Sequence, residues 1–150
     1  MNGDMKNMVI NIFIDTNILL DYITKRIPYY TSAWRIVEAC DRGIFNGIIS
    51  AQSVPDIFYI LRKSIPISER KEALLLLCNI FNVAEIDHEK LTSALMDEDF
   101  MDFEDCLQFL CAKSVKADLI VTRNPKDFVY STISAIPPDV FCKQYLDITD

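Results

Sequence analysis

Short apolar runs rich in β-branched residues alternate along this chain with stretches where apolar side chains recur every three or four positions. MVINIFI at 8–14 is of the first kind, and its nearly unbroken apolar character predicts a strand covered on both faces. Asp15-Thr16-Asn17 follows at its C-terminal end, and ILLDYI after it reads as a short apolar turn. Ala33, Ile36, Val37 and Cys40 fall at i, i+3, i+4 and i+7, predicting a helix over 32–42 that Ser32 caps and Gly43 stops. GIIS at 47–50 predicts a second strand. A helix is expected from Ser53, with Pro55 in its first turn and Ile57, Ile60 and Leu61 on its buried face. Ser68 is expected to open another helix, running through the four leucines at 74–77. FNVAEI at 81–86 predicts a third strand, and Asp87 is placed to cap a helix starting near Glu89. A strongly apolar helix is expected from Asp102 to about Lys113, then a fourth strand, DLIVT, at 118–122. Pro137-Pro138 introduces a last short helix.

Strands that alternate with helices imply crossover connections, which are nearly always right-handed, and a parallel sheet with helices on both faces. The expected fold is therefore a three-layer α/β/α arrangement around a parallel sheet of four to five strands. No repeat, low-complexity tract or linker interrupts the sequence, so one domain over residues 1–150 is expected. A 51% hydrophobic content suffices for its core. No apolar run approaches the ~20 residues that cross a bilayer, and the polar start carries no signal-peptide pattern. The five cysteines, Cys40, Cys78, Cys106, Cys111 and Cys142, contain no C-x-x-C pair and read as buried free thiols. Together these features point to the cytoplasm and away from a membrane.

Charge is unevenly spread. Residues 1–75 hold nine Lys/Arg and eight Asp/Glu, whereas residues 76–150 hold six and fourteen. An acidic chain gains nothing from bulk electrostatics in meeting a nucleic acid, so a local basic surface or a bound cation would have to mediate the contact. Ligands in open parallel sheets sit beyond the carboxyl ends of the strands, and that rule sorts the acids. Asp15 ends the first strand, Asp56 lies in the first turn after the second, and Asp102 and Asp105 open the helix leading to the fourth. Asn124 and Asp127 follow that fourth strand. Carboxylates gathered from separate segments repel one another unless a cation joins them, and Mg²⁺ or Mn²⁺ prefers such oxygen ligands. Asp97 to Asp99 read as a solvated acidic run, and His88 as a solvated helix start.

IFIDTNILLD, SAQSVPDIFYILRK, DFEDCLQFLCAK and DLIVTRNPKDF, taken in this order, resemble a PIN domain, in particular the bacterial branch that includes VapC-type toxins and related nucleases. The resemblance runs from Ile12 to Phe128. It implies a metal-dependent ribonuclease whose first acid is Asp15 and third is Asp105, with Asp102 beside it. The second acid is usually Glu in the family and is Asp56 here. The fourth is often Asp, and Asn124 stands in its place, with Asp127 three residues on as a substitute. The resemblance thus names Asp15, Asp56, Asp105 and Asp102 as catalytic, with Asp127 a further metal ligand. Thr16, Asn17, Arg123 and Asn124 are placed for substrate contact. Lys25-Arg26, Arg62-Lys63 and Lys126 are further cations for phosphate. RNA, an antitoxin protein and a second copy in a homodimer are the expected partners.

Other chemistries fit less well. A phosphatase of the haloacid dehalogenase type needs a second Asp two positions after the first, and Asn17 stands there. A response-regulator receiver needs an acidic pair, an acceptor Asp and a late Lys in a pattern this chain lacks. No Ser/His/Asp or Cys/His set competes. The remaining alternative is a PIN-like module whose weakened site binds nucleic acid or protein without cutting, for which Asp56 and Asn124 argue.

Overall fold

The apolar runs build the sheet. In the computed structural model, which describes residues 8–147, the strands are β1 (Asn11–Ile14), β2 (Asn46–Ser50), β3 (Asn82–Ala84), β4 (Leu119–Val121) and β5 (Ala135–Ile136). They pair in parallel throughout, in the order β3-β2-β1-β4-β5. β1 begins three residues later than the apolar run at 8–14 predicts, since Met8 and Val9 are exposed. β5 is two half-buried residues long and has no apolar run to announce it.

Among the described residues seven α-helices cover the sheet: α1 (Thr16–Thr24), α2 (Tyr30–Asp41), α3 (Ser53–Ile60), α4 (Ile67–Ile80), α5 (His88–Met96), α6 (Phe103–Ser114) and α7 (Pro138–Tyr145). The first corrects the sequence reading, for ILLDYI is not a turn but part of the nine-residue α1. Its buried face includes an aspartate, Asp21, beside Ile18 and Leu19, and that polar position masks the helical period. α2 starts at Tyr30 without a side-chain cap, so Ser32 lies inside its first turn. α4 likewise starts at Ile67 after Pro66, one residue before Ser68. Asp87 does cap α5, its Oδ1 accepting from the Lys90 N–H at 3.0 Å. Ile60 is exposed, whereas Ile57 and Leu61 are buried as expected. Four of the five free cysteines are buried and Cys78 is exposed on α4.

Alternation along the strands divides the core between the two faces. Ile12, Ile14, Ile49 and Val121 join α1, α2, α3, α4 and α7 in the larger cluster. Phe13, Ile48 and Ile120 join Phe109, Cys111 and Ala112 of α6 on the other side, and Ala94 of α5 packs on Cys106 and Leu107. β2 fits between these layers only because residue 47 is glycine. A Cβ there would stand 2.6 Å from the Phe81 ring and 2.7 Å from the Cys40 sulfur. From the central β1 the chain steps outward to β2 and β3 on one side and to β4 and β5 on the other. The crevice between the carboxyl ends of β1 and β4 is the topological switch point of the sheet. No helix among the described residues is long and apolar enough to cross a membrane.

Candidate active site

Register places Asp15 and Thr122 side by side at the switch point. Ile14 pairs with Val121, and the next residue of each strand faces the crevice. The Asp15 N–H donates to the Val121 carbonyl at 3.0 Å, extending the ladder by one rung. Asp15 occupies the N-cap position of α1, yet its side chain makes no cap bond. Its carboxylate turns into the crevice instead, where only 6% of the residue remains exposed. Oδ2 accepts from the Thr122 hydroxyl at 2.7 Å and Oδ1 accepts from the Gln108 side-chain amide at 3.1 Å. Two neutral donors orient this charge, and among the described residues no Lys or Arg pairs with it within 4 Å.

α6 brings the second set of acids. Asp102 is its N-cap, with Oδ1 accepting from the Asp105 N–H at 3.0 Å, so part of this carboxylate serves the helix end. Asp105 lies in the first turn and is half-buried. Burial, and then the charges of Asp102, Asp127, Asp15 and Glu104, push its carboxyl up to about 7. Negative groups from β1, α6 and the turn after β4 thus converge on Asp105, with no positive group among the described residues acting on it. Asp127 is exposed in the short 3-10 segment Pro125–Phe128, which Asn124 precedes. Asn124 works through its backbone: its N–H donates to the Thr122 hydroxyl at 3.1 Å, and its carbonyl accepts from the Asp127 N–H at 3.0 Å.

Asp56 comes from the first turn of α3. It lines a narrow cleft between α3 and α6 with Thr16, Ser53, Glu104 and Gln108, of about 20 Å³. Gln52 donates to its Oδ1 at 2.9 Å. Thr16 and Ser53 share a 2.7 Å hydroxyl contact that ties α1 to α3 at the cleft wall. Burial first, then the charges of Asp56 and Asp102, raise the Glu104 carboxyl above its ordinary value.

The structure gives Arg123 a different setting from the solvent-facing phosphate contact expected. Its Nε lies 3.0 Å from Oδ2 of Asp21, a residue 1% exposed. That contact is off the hydrogen-bond line, and Nη2 completes the pair by donating to Oδ1 at 3.4 Å. The guanidinium also lies over the Tyr29 ring, 4.1 Å from its centroid. Desolvation raises the Asp21 carboxyl despite the attraction of Arg123. The cation therefore anchors α1 to the end of β4. Asn17 is half-buried on the first turn of α1. Arg62 stacks on Tyr59, while Lys25, Arg26 and Lys126 are exposed.

Sequence reasoning passed over Gln108, Thr122, Glu104 and Asp21. Gln108 carried a signal, being a polar residue three positions after Asp105 inside an apolar helix, hence on the same face. Asp21 carried a similar one. Among the described residues, no three Asp, Glu, His or Cys side chains stand close enough to hold a metal ion as placed. The donor set nevertheless suits a hard divalent cation, because Asp15, Asp102, Asp105 and Asp127 offer only carboxylate oxygens. The upward push on Asp105 comes from burial first and from the neighbouring acids after it, both of which a bound cation would offset.

Comparison with known proteins gives a consistent result. A family model described as PIN domain matches residues 11–126. Ribonuclease VapC1 of Aquifex aeolicus (strain VF5) is 25% identical over 141 residues, which are 89% of this chain and 94% of that protein. A toxin-antitoxin complex from Klebsiella pneumoniae superposes with a TM-score of 0.61 at 22% identity, over 84% of this chain and 96% of that one. VapBC2 from Rickettsia felis, bound to a promoter DNA fragment, gives 0.61 at 17% identity, over 85% and 98%. Mycobacterium tuberculosis VapC20, a toxin cleaving the sarcin-ricin loop, gives 0.59 at 14% identity, over 73% and 86%. At these identities the solved structures establish likeness of fold.

Proposed function

The chain belongs to the PIN domain family, and from that premise we propose that it is a divalent-metal-dependent endoribonuclease, the toxin of a toxin-antitoxin pair. The observation that carries the reading is Asp15: a carboxylate 6% exposed at the switch point, oriented by Thr122 and Gln108 and, among the described residues, unpaired by any Lys or Arg. A buried charge held without a counter-charge is costly, and a site that orients it so closely is prepared for a cation supplied from outside. Asp15, Asp105 and Asp102 would hold that cation, with Asp127 reaching in from the turn after β4. When bound, Mg²⁺ or Mn²⁺ supplies charge neutralisation at the phosphodiester and eases deprotonation of water near neutral pH.

The chain's own residues do the rest. Thr122 and Gln108 fix the Asp15 carboxylate so that its free lone pairs face the crevice. Burial and the neighbouring acids push the Asp105 carboxyl up to about 7, and a cation held at the site would favour its ionised form. Phosphate contacts fall to the exposed Lys126, Lys25 and Arg26, since Arg123 is engaged by Asp21. The antitoxin is proposed from the complexes in which relatives of this fold are found. The exposed apolar residues Tyr59, Ile60, Leu75 and Leu76 on α3 and α4 support a protein partner or self-pairing. Free thiols and an RNA substrate fit a cytoplasmic location.

The test is cleavage of a mixed RNA pool with Mg²⁺, Mn²⁺ or EDTA. Metal-dependent internal cuts are expected. Cutting that persists in EDTA would remove the metal from the mechanism. Binding without cutting under every condition would favour a nucleic-acid-binding module instead, which the shortened Asp56 and neutral Asn124 already suggest as the second reading.

A further inference from the structure

Two surface hollows of this domain differ in character. The groove of about 500 Å³ between α3 and α4 is walled mainly by apolar side chains, among them Val54, Pro55, Phe58, Leu74 and Leu75. A groove of that kind suits the apolar face of a helix. The hollow bordered by α1, α2 and α4 is smaller, about 240 Å³, and aromatic. Tyr22 lines it from α1, and Tyr30 and Trp34 line it from α2 at i and i+4, hence on one helix face. Ile23, Ala73 and Leu76 complete the wall, and Lys25 is the one cation among the lining residues. Trp34 is the single tryptophan of the chain and is 45% exposed. Burial first, and then Tyr30, Glu38 and Asp41, raise the Tyr22 phenol above its ordinary value, so its hydroxyl stays a neutral donor.

Resting on the ribonuclease reading above, we propose that this hollow is a base-stacking subsite for single-stranded RNA, in which an unpaired base lies on Trp34 among Tyr22 and Tyr30 while Lys25 meets the adjoining phosphate. Aromatic faces next to a cation are what a single strand requires, because every base has a π-face and every linkage a charge. A volume of about 240 Å³ falls below the ~300 Å³ at which drug-sized pockets begin, so it takes one ring system. A base reaches such a face only when it is out of the duplex stack. Stacking tolerates any base, so the subsite selects unpaired RNA and not a sequence.

Its place in the fold ties it to the crevice. Residues 25–29 connect α1 to α2. The Arg123 guanidinium lies 4.1 Å from the centroid of the Tyr29 ring, and Arg123 directly follows Thr122, which holds Asp15. A strand leaving the crevice across the exposed Arg26 and Lys25 meets the aromatic hollow next. Trp34 also borders a further hollow with Arg35, Arg42 and Glu38. Arg35 there is paired with Asp147 at 2.6 Å, so that side adds two acids to two cations and offers phosphate no net attraction.

The emission of Trp34 reports on this hollow alone and supplies the test. The full chain carrying Asp15→Asn, which holds RNA uncut under the reading above, is titrated in Mg²⁺ with a short mixed-sequence single strand and with the same strand annealed to its complement. Saturable quenching by the single strand and not by the duplex is expected. In cleavage assays on the otherwise unaltered chain, Trp34→Ala should raise KM about tenfold with kcat unchanged, the scale of one lost base–aromatic stack. Trp34→Phe should recover most of that loss. Single-stranded RNA that binds by anisotropy while Trp34 emission stays fixed would overturn the subsite, as would equal quenching by the duplex, and the ribonuclease would stand. A shift of Trp34 emission with rising protein concentration, with no quenching by RNA, would also overturn it by giving the hollow to a second copy of the chain. Absence of both RNA binding and RNA cleavage would overturn both readings.

Discussion

Two buried aspartates six residues apart meet opposite treatment. Asp21, on the inner face of α1, has a guanidinium at 3.0 Å that is itself stacked on an aromatic ring. Asp15, at the start of the same helix, has a hydroxyl, an amide and a set of neighbouring acids. Both charges are withdrawn from water, but among the described residues only one finds a neutralising partner. A burial cost offset internally yields a structural strut. One left open yields a place for a ligand of opposite charge. The contrast separates scaffold from site more sharply than burial or residue type does, since both residues are aspartates and both are buried.

The largest expected effect lies on the strut. Asp21→Ala strands the Arg123 charge in a desolvated pocket, and breaking one side of a buried pair costs about 3–5 kcal/mol. Urea denaturation measures it, and a loss below about 1 kcal/mol would class the pair with screened surface bridges. Asp15→Asn should behave in the opposite sense. Gln108 can turn its amide so that its unpartnered oxygen accepts from the new NH₂ group, and one charge leaves a crowded acidic site. The thermal midpoint without metal is expected to stay level or rise, while RNA cleavage falls by about a hundredfold or more, some 2.7 kcal/mol of barrier. A lowered midpoint with normal cleavage would make Asp15 a second strut.

A smaller effect tests the open site through pH. The folded-state value of Asp105 is raised from 3.8 to about 7. Between those values the folded chain keeps a proton that the unfolded chain releases, so this contribution to stability falls as pH rises through that window. Asp105→Asn cannot titrate. Its midpoint advantage over the metal-free wild type should therefore grow from pH 5 to pH 8 in calorimetric scans, and saturating Mn²⁺ should remove the wild type's decline. A gap independent of pH would place Asp105 in water and out of the cluster. The smallest effect separates the two uses of Asp102. Asp102→Ala should cost about 1 kcal/mol through loss of the cap, whereas Asp102→Asn keeps a capping oxygen and should cost a few tenths at most. If the Asn variant, at unchanged stability, still cleaves as the wild type does, the Asp102 charge has no part in metal binding.

Much of this was legible in the chain. Apolar β-branched runs and three-to-four periodicity determined the alternation of strand and helix, hence the parallel layered sheet, because burial on two faces demands those patterns of any sequence. The same patterns put Asp15, Asp56, Asp105 and Asn124 at one edge, since a parallel sheet sends every strand end the same way. The sequence could not show α1 as a helix or β5 as a strand. The ionic partner of Asp21, Arg123, lies 102 residues away, and β5 is held by neighbours rather than by its own two residues. Nor could it show that Asp56 shares a narrow cleft with Glu104 and Gln108, or that Arg123 is occupied. Spacing along the chain places a residue on an edge. Which way its side chain turns there, and what neutralises it, depends on helix packing across the sheet, and those contacts exist only once the chain has folded.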